Sequence, residues 1–330
     1  MTNAKIVAFG WYVPETVLDN AYFVALNPRR KYVGEDEYRQ PKYEDGKEDM
    51  TNEKIIEISG IRERRKVAEH ESVVDLIENA YRKTGFPAEE LSGILIGTIS
   101  NRQRFPSVGC RVQERIGAKN VSFAPDIAAA CSGFTHSLEI ARLRIKENGG
   151  YYLVGGVETL TRKVDYTERN CILFGDGCGL VVLGPTNSED EGVRATIFDS
   201  IVSGISWIYE DSQGILRMTG GREVLKRATR GMIDNAHKLV RKAGIDKDAI
   251  NKYIPHQANL RIIENIENRI DPEKSGRVYR NIERYGNMSA ATVPIALAEA
   301  KERGDIKEGD LVVLVDMGSG LAFGGALIRI

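Results

Sequence analysis

The chain has 330 residues, 28% charged and 42% hydrophobic, with a formal net charge of −1. That length buries a sizeable core, enough for two domains or one double-sized unit, and the near-neutral balance lacks the basic footprint of a nucleic-acid binder. Its four cysteines and four histidines lack CxxC and HExxH spacing, which argues against a disulfide framework and a metal centre, and apolar runs such as 311–315 are too short to span a bilayer.

Residues 1–5 lead directly into a strand-like run rather than a signal-peptide core, so a cytoplasmic protein is expected. Residues 27–53 are dense in charge and carry no periodic apolar face. They read as an insertion, a solvated loop or a flap over a site entrance. Apolar residues at helical spacing predict helices over 72–84, 132–147, 222–243, 259–269 and 289–303, with Gly149-Gly150 and Gly304 as stop signals. Strands are expected at 94–97, 151–154, 179–183 and 312–315, and Gly175-Asp176-Gly177 reads as a hairpin turn. Strand and helix alternate as in a layered α/β protein. The halves 1–185 and 186–330 echo each other: Thr98 to Cys131 and His256 to Asn287 both span about thirty residues, near the length of a repeated βα module. Such a duplication would bring both helix starts to one cleft.

Three residues carry candidate chemistry. Cys131 follows the small-residue run 126–130 and opens a helix, where the helix dipole and unpaired N–H groups favour thiolate and predict a pKa below the free value of about 8.5. Read alone, it is equally a small buried hydrophobe. His256, in Pro255-His256-Gln257-Ala258-Asn259-Leu260-Arg261, lies between a strand and a helix, the edge at which α/β folds bind ligands. Asn287 follows Gly286 at a helix start and reads, alone, as an ordinary N-cap. His136, one and a half turns beyond Cys131, reads as structural, and Cys171 and Cys178 as packing residues.

Together these segments resemble β-ketoacyl-ACP synthase III of the thiolase superfamily. The likeness runs through Gly60-Ile61-Arg62-Glu63-Arg64, Phe105-Pro106-Ser107, residues 126–134, Phe174-Gly175-Asp176-Gly177, the Pro255-to-Arg261 segment, Gly286-Asn287 and Ser289-Ala290-Ala291. The resemblance implies a five-layered αβαβα thiolase fold of two pseudo-repeated halves, a homodimer, and a Cys131-His256-Asn287 triad. It implies acyl loading on Cys131, then decarboxylative condensation with malonyl-ACP to give 3-oxoacyl-ACP, with no cofactor and no metal. Backbone N–H groups of Cys131 and Ser319 would form the oxyanion hole, Phe105 (from a partner subunit in relatives) and Leu225 would line the acyl pocket, and Arg261 and Arg169 would meet CoA or the carrier.

The chain also departs from the family. Where relatives grip the CoA adenine with tryptophan and arginine, Lys54 and Ile58 stand, and neither replaces those contacts. The expected donor is therefore acyl-CoA or an acyl carrier protein. Alternatives are a specialised-metabolism ketosynthase or acyltransferase with a non-standard primer, including a dicarboxylyl group met by Arg102 or Arg104, and a non-catalytic partner subunit.

Overall fold

The computed structural model describes residues 3–35, 41–46, 48–273 and 276–330. The chain begins with β1 (Asn3–Tyr12), β2 (Thr16–Asp19), α1 (Asn20–Leu26), β3 (Arg30–Glu35), β4 (Pro41–Asp45), α2 (Asn52–Ser59) and β5 (Glu63–Lys66). It continues through α3 (Val73–Thr84), β6 (Leu91–Gly97), α4 (Val108–Ile116), β7 (Asp126–Ile127), α5 (Gly133–Asn148), β8 (Tyr151–Thr159) and β9 (Asp176–Thr186). Then come β10 (Gly192–Gly204), β11 (Ile208–Glu210), β12 (Leu216–Met218), α6 (Gly221–Ala243), β13 (Lys252–Pro255) and α7 (Leu260–Ile270). The last elements are α8 (Ile282–Tyr285), α9 (Thr292–Glu302), β14 (Leu311–Gly318) and β15 (Gly320–Arg329).

Two sheets repeat one plan. The first has the order β1-β9-β8-β6-β7 and the second β10-β15-β14-β13. In each, two antiparallel pairings are followed by a parallel one: β1 with β9, β9 with β8 and β8 with β6, against β10 with β15, β15 with β14 and β14 with β13. Helices α5 and α9 lie between the sheets. Phe134 and Leu138 of one and Val293 and Leu297 of the other share a core with Val154 and Val181 of the first sheet and Val312 and Leu314 of the second. Helices α3 and α4 cover the outer face of the first sheet, and α6 and α7 that of the second. The result is five layers, αβαβα. Strands β6 and β14 are covered on both faces and therefore read as unbroken apolar runs.

Two expectations need correction. The 27–53 segment is no structureless loop: β3 and β4 pair as an antiparallel ribbon, while residues 36–40 and 47 lie outside the described residues. Tyr32, 2% exposed, is the ribbon's buried anchor, and a single anchor leaves no periodic signal in the sequence. Nor is Gly175-Asp176-Gly177 a hairpin turn. It starts β9, with the buried Asp176 carboxylate accepting from the backbone N–H of Val67 at 2.8 Å and of Thr161 at 2.9 Å. Strands β8 and β9 do pair, Thr159 opposite Asp176, across the long connection between them. A Cβ at Gly175 would fall 2.4 Å from the Tyr285 carbonyl oxygen, so that position accepts only glycine.

Candidate active site

The two central helices begin alike. A 3-10 turn, Ala130–Ser132, precedes α5, and another, Ser289–Ala291, precedes α9. Ala129 and Met288 have φ/ψ of −108/28 and −103/30, and Ala130 and Ser289 have φ of 46 and 45. Left-handed backbone at a residue with a Cβ costs about 1–3 kcal/mol, and it persists only where the surroundings hold it. Glycines let that happen. A Cβ at Gly156 would lie 2.0 Å from Ala290 O, one at Gly97 2.5 Å from the Gly133 carbonyl carbon, and one at Gly318 2.5 Å from Ala129 O. Cys131 thus sits in the turn just ahead of α5.

Cys131, His256, Asn287 and Ser319 line one cavity of about 800 Å³. His256, 1% exposed, directly follows β13, and its N–H donates to Val315 O at 2.8 Å. Its Nδ1 is 2.6 Å from Thr292 Oγ1, at the first residue of α9, and that hydroxyl is 2.9 Å from Ser289 O. Burial lowers the His256 pKa to about 3, so the ring is neutral. Asn287 is oriented by its surroundings. Its Oδ1 accepts from the Ser289 N–H at 2.8 Å, its own N–H donates to Leu173 O at 2.8 Å, and its carbonyl accepts from the Gly175 N–H at 3.1 Å. With Oδ1 committed, the Nδ2 hydrogens are the donors it offers the cavity. The Ser319 hydroxyl donates to Ile208 O.

The thiol does not behave as the helix start suggested. Burial pushes the Cys131 pKa up to about 12; the Ser289 hydroxyl and the residue's own N–H oppose this, while the charges of Glu158 and Asp316 reinforce it. Desolvation shifts a buried group by up to 3–5 units, more than a helix terminus recovers. Glu158 and Asp316 stand near the ends of β8 and β14, at matching places in the two halves, and both are fully buried. Burial raises each to about 7, against hydrogen bonds from Ser100 and the Ile99 N–H in one case and from Thr135 and the Gly324 N–H in the other. The residues 126–134 placed Cys131 in the sequence, but nothing there marked these two acids. Thr292 and Ser289 lie within the motif that carries Asn287, and Arg222, also on the cavity wall, gave no signal.

The remaining expected residues divide. Leu225, on α6, lines the cavity, as does Arg261, whose Nη2 is 3.7 Å from Glu57 Oε1. Arg169 does not line it. This side chain donates to Glu48 O at 3.2 Å and borders a smaller neighbouring cavity of about 340 Å³. Phe105 is 85% exposed and stands outside the cavity in this chain, beside the exposed Arg102 and Arg104. Ile58 lines the cavity, while Lys54 pairs with Glu57 at 3.4 Å and Glu48 at 3.5 Å. His136 bonds Ser132 O through Nδ1 at 2.9 Å, and Cys171 and Cys178 are buried in core clusters. The Gly60-to-Arg64 motif serves the fold: Arg64 is fully buried, donating to Asn20 Oδ1 and Ile172 O, both at 2.6 Å.

Among the described residues no helix is long and apolar enough to cross a membrane. Residues 125–201 match the family model for 3-oxoacyl-[acyl-carrier-protein] synthase III, and residues 240–330 match the model for its C-terminal part. A β-ketoacyl-[acyl-carrier-protein] synthase III from Aquifex aeolicus (strain VF5) is 38% identical, over 99% of each chain. Its namesake from Geobacillus kaustophilus (strain HTA426) is 36% identical, again over 99% of each. Among solved structures, the Aquifex aeolicus VF5 synthase III superposes with a TM-score of 0.87 at 35% identity, covering 99% of this chain and 100% of that one. The priming β-ketosynthase of the R1128 polyketide biosynthetic pathway also gives 0.87, at 25% identity over 99% and 96%. With its thiolase fold and a thiol, an imidazole and a carboxamide on one cavity, the chain belongs to the β-ketoacyl-[acyl-carrier-protein] synthase III family of condensing acyltransferases.

Proposed function

We propose that this enzyme loads an acyl group onto Cys131 and condenses it with malonyl-ACP, releasing carbon dioxide and forming a 3-oxoacyl-ACP that starts a fatty-acid chain. The observation that carries the reading is the meeting of Cys131 from residues 1–185 with His256 and Asn287 from residues 186–330 on one cavity wall.

Because the resting thiol is protonated, its proton must leave as sulfur attacks the thioester carbonyl. The neutral His256 ring is the base at hand. When the Thr292 hydroxyl donates to Ser289 O, the ring proton sits on Nδ1 and Nε2 holds a lone pair. Nε2 takes the thiol proton and passes it to the departing donor thiolate. Condensation asks for the other tautomer. Loss of carbon dioxide from the malonyl group leaves an enolate, whose oxygen accepts from His256 Nε2–H and Asn287 Nδ2–H. Its carbon then bonds to the acyl carbonyl carbon and the Cys131 sulfur departs as thiolate, which takes up one proton from solvent to restore the thiol, the tetrahedral oxyanion being held by the backbone N–H groups of Cys131 and Ser319. Each such donor contributes roughly 3–4 kcal/mol of transition-state stabilisation.

Arg222 and Arg261, at the mouth, suit the phosphate of a pantetheine arm, whether on CoA or on acyl carrier protein. A second reading, a carrier-bound or non-standard primer, is favoured by Lys54, held by two carboxylates. A dicarboxylyl primer would meet Arg102 or Arg104 only across a dimer. The exposed Phe105, Val202 and Ile205 suit a homodimer in which Phe105 completes the partner's cavity. The setting we infer is the cytoplasm. A non-catalytic role would leave the thiol, imidazole and carboxamide without purpose. Purified enzyme given acyl-CoA and malonyl-ACP should release one carbon dioxide per 3-oxoacyl-ACP formed. Acyl transfer without carbon dioxide would overturn the proposal.

A further inference from the structure

We infer that Arg217 sets the acyl-chain selectivity of the cavity, by clamping the hairpin β11–β12 to the 165–168 segment and to the ribbon β3–β4. The inference rests on the reading that acyl chains enter this cavity.

Strand β12 is three residues long, and its side chains alternate. Leu216 and Met218 face the cavity, where they pack with Leu160 and Phe174. Arg217, between them, points the other way and is 2% exposed. Its Nε donates to Asp211 Oδ2 at 2.7 Å, and its Nη1 pairs with the buried Glu168. The same Nη1 is 3.2 Å from the Tyr43 hydroxyl and 3.8 Å from Asp165 Oδ2. The guanidinium lies 4.9 Å from the centre of the Tyr32 ring.

The ribbon adds a second tie. The Tyr32 hydroxyl is 2.5 Å from that of Tyr209, and Tyr209 is the β11 residue directly opposite Arg217. The residue before it, Ile208, receives the Ser319 hydroxyl. Tyr43 of the ribbon donates to Asp165 at 3.0 Å.

An isolated two-stranded hairpin is marginal in water. The position of this cavity wall is therefore decided by what grips its back. A buried arginine among carboxylates adds little net stability compared with apolar packing. What it does supply is fixed geometry, since the planar guanidinium accepts partners only at set angles. No step of the proposed reaction touches Arg217, so it is a positioning residue. Released from its clamp, β12 withdraws, the wall formed by Leu216 and Met218 recedes, and longer acyl chains fit.

The test is the initial rate of Cys131 acylation by acetyl-CoA and by octanoyl-CoA, read by intact-protein mass spectrometry. In Arg217→Met the octanoyl-to-acetyl ratio should rise about tenfold, the discrimination that a small change in pocket depth supports. Tyr32→Phe, which deletes one oxygen, should move the ratio in the same direction, and it decides the matter if Arg217→Met does not fold. A merely structural role would lower both rates by the same factor. An unchanged ratio in a parent enzyme that does acylate would overturn this inference alone. Absence of acylation in the parent would remove the reading beneath it as well.

Discussion

His256 Nδ1 and the Thr292 hydroxyl oxygen are 2.6 Å apart, and the same oxygen is 2.9 Å from Ser289 O. One hydroxyl proton thus faces two acceptors, and which of them it serves decides whether the Nε2 edge of His256 carries a lone pair or an N–H.

Thr292→Val should therefore impair decarboxylation. Without the hydroxyl nothing holds the ring in the Nε2–H form, and carbon dioxide release should fall by about 10- to 100-fold, the usual cost of losing an orienting partner. Thr292→Ser restores the oxygen and should recover most of the rate. Comparing malonyl decarboxylation in the two variants checks this. Equal rates would show that the Thr292 hydroxyl does not set the His256 tautomer.

Asn287→Asp keeps an oxygen to accept from the Ser289 N–H but offers no donor to the enolate. Decarboxylation should drop by about 10²–10³, the effect of deleting one oxyanion donor, while acyl loading on Cys131 survives. Single-turnover acylation measured beside carbon dioxide release separates the two steps.

Asp316 should govern both stability and thiol reactivity. Its folded pKa, raised to about 7 by burial, exceeds the unfolded value of about 3.9. The fold then binds the proton more tightly, so stability is greatest at low pH and declines between those two values, levelling off above them. Each unit of that gap corresponds to about 1.4 kcal/mol. Asp316→Asn should melt higher than the parent at pH 8 and close to it at pH 4. Since the Asp316 charge also helps to raise the Cys131 pKa, the variant thiol should react faster with iodoacetamide at pH 8. Unaltered melting and alkylation would show that the carboxylate acts on neither.

Gly156→Ala would place a Cβ 2.0 Å from Ala290 O, against the turn that carries Ser289. Overpacking of this kind costs about 1–3 kcal/mol, and here the displaced backbone orients Asn287 and Thr292. Activity should fall more steeply than melting temperature. A thermal shift with full activity retained would contradict this reading of the glycine.

The parts legible in the sequence share a physical cause. Strands β6 and β14 are buried on both faces, so their apolar runs stand out, and Cys131, His256 and Asn287 sit where such strands and the central helices begin or end. The ribbon escaped because its attachment is polar: Tyr32, Tyr43 and Arg217 read as surface residues until the fold surrounds them. Glu158 and Asp316 are single acids within apolar strands, and only the superposed plans of the two sheets reveal them as counterparts. The raised pKa of the Cys131 thiol is not legible because a helix terminus is visible in sequence, whereas the desolvation that outweighs it is not.

The most direct test is intact-protein and peptide mass spectrometry of the enzyme after brief exposure to acyl-CoA and, separately, to acyl-ACP, for the parent and for Cys131→Ala. One acyl group per chain should appear, mapped to Cys131 and absent from the variant. A parent left unmodified by both donors, or an adduct that persists in Cys131→Ala, would contradict acyl loading on Cys131.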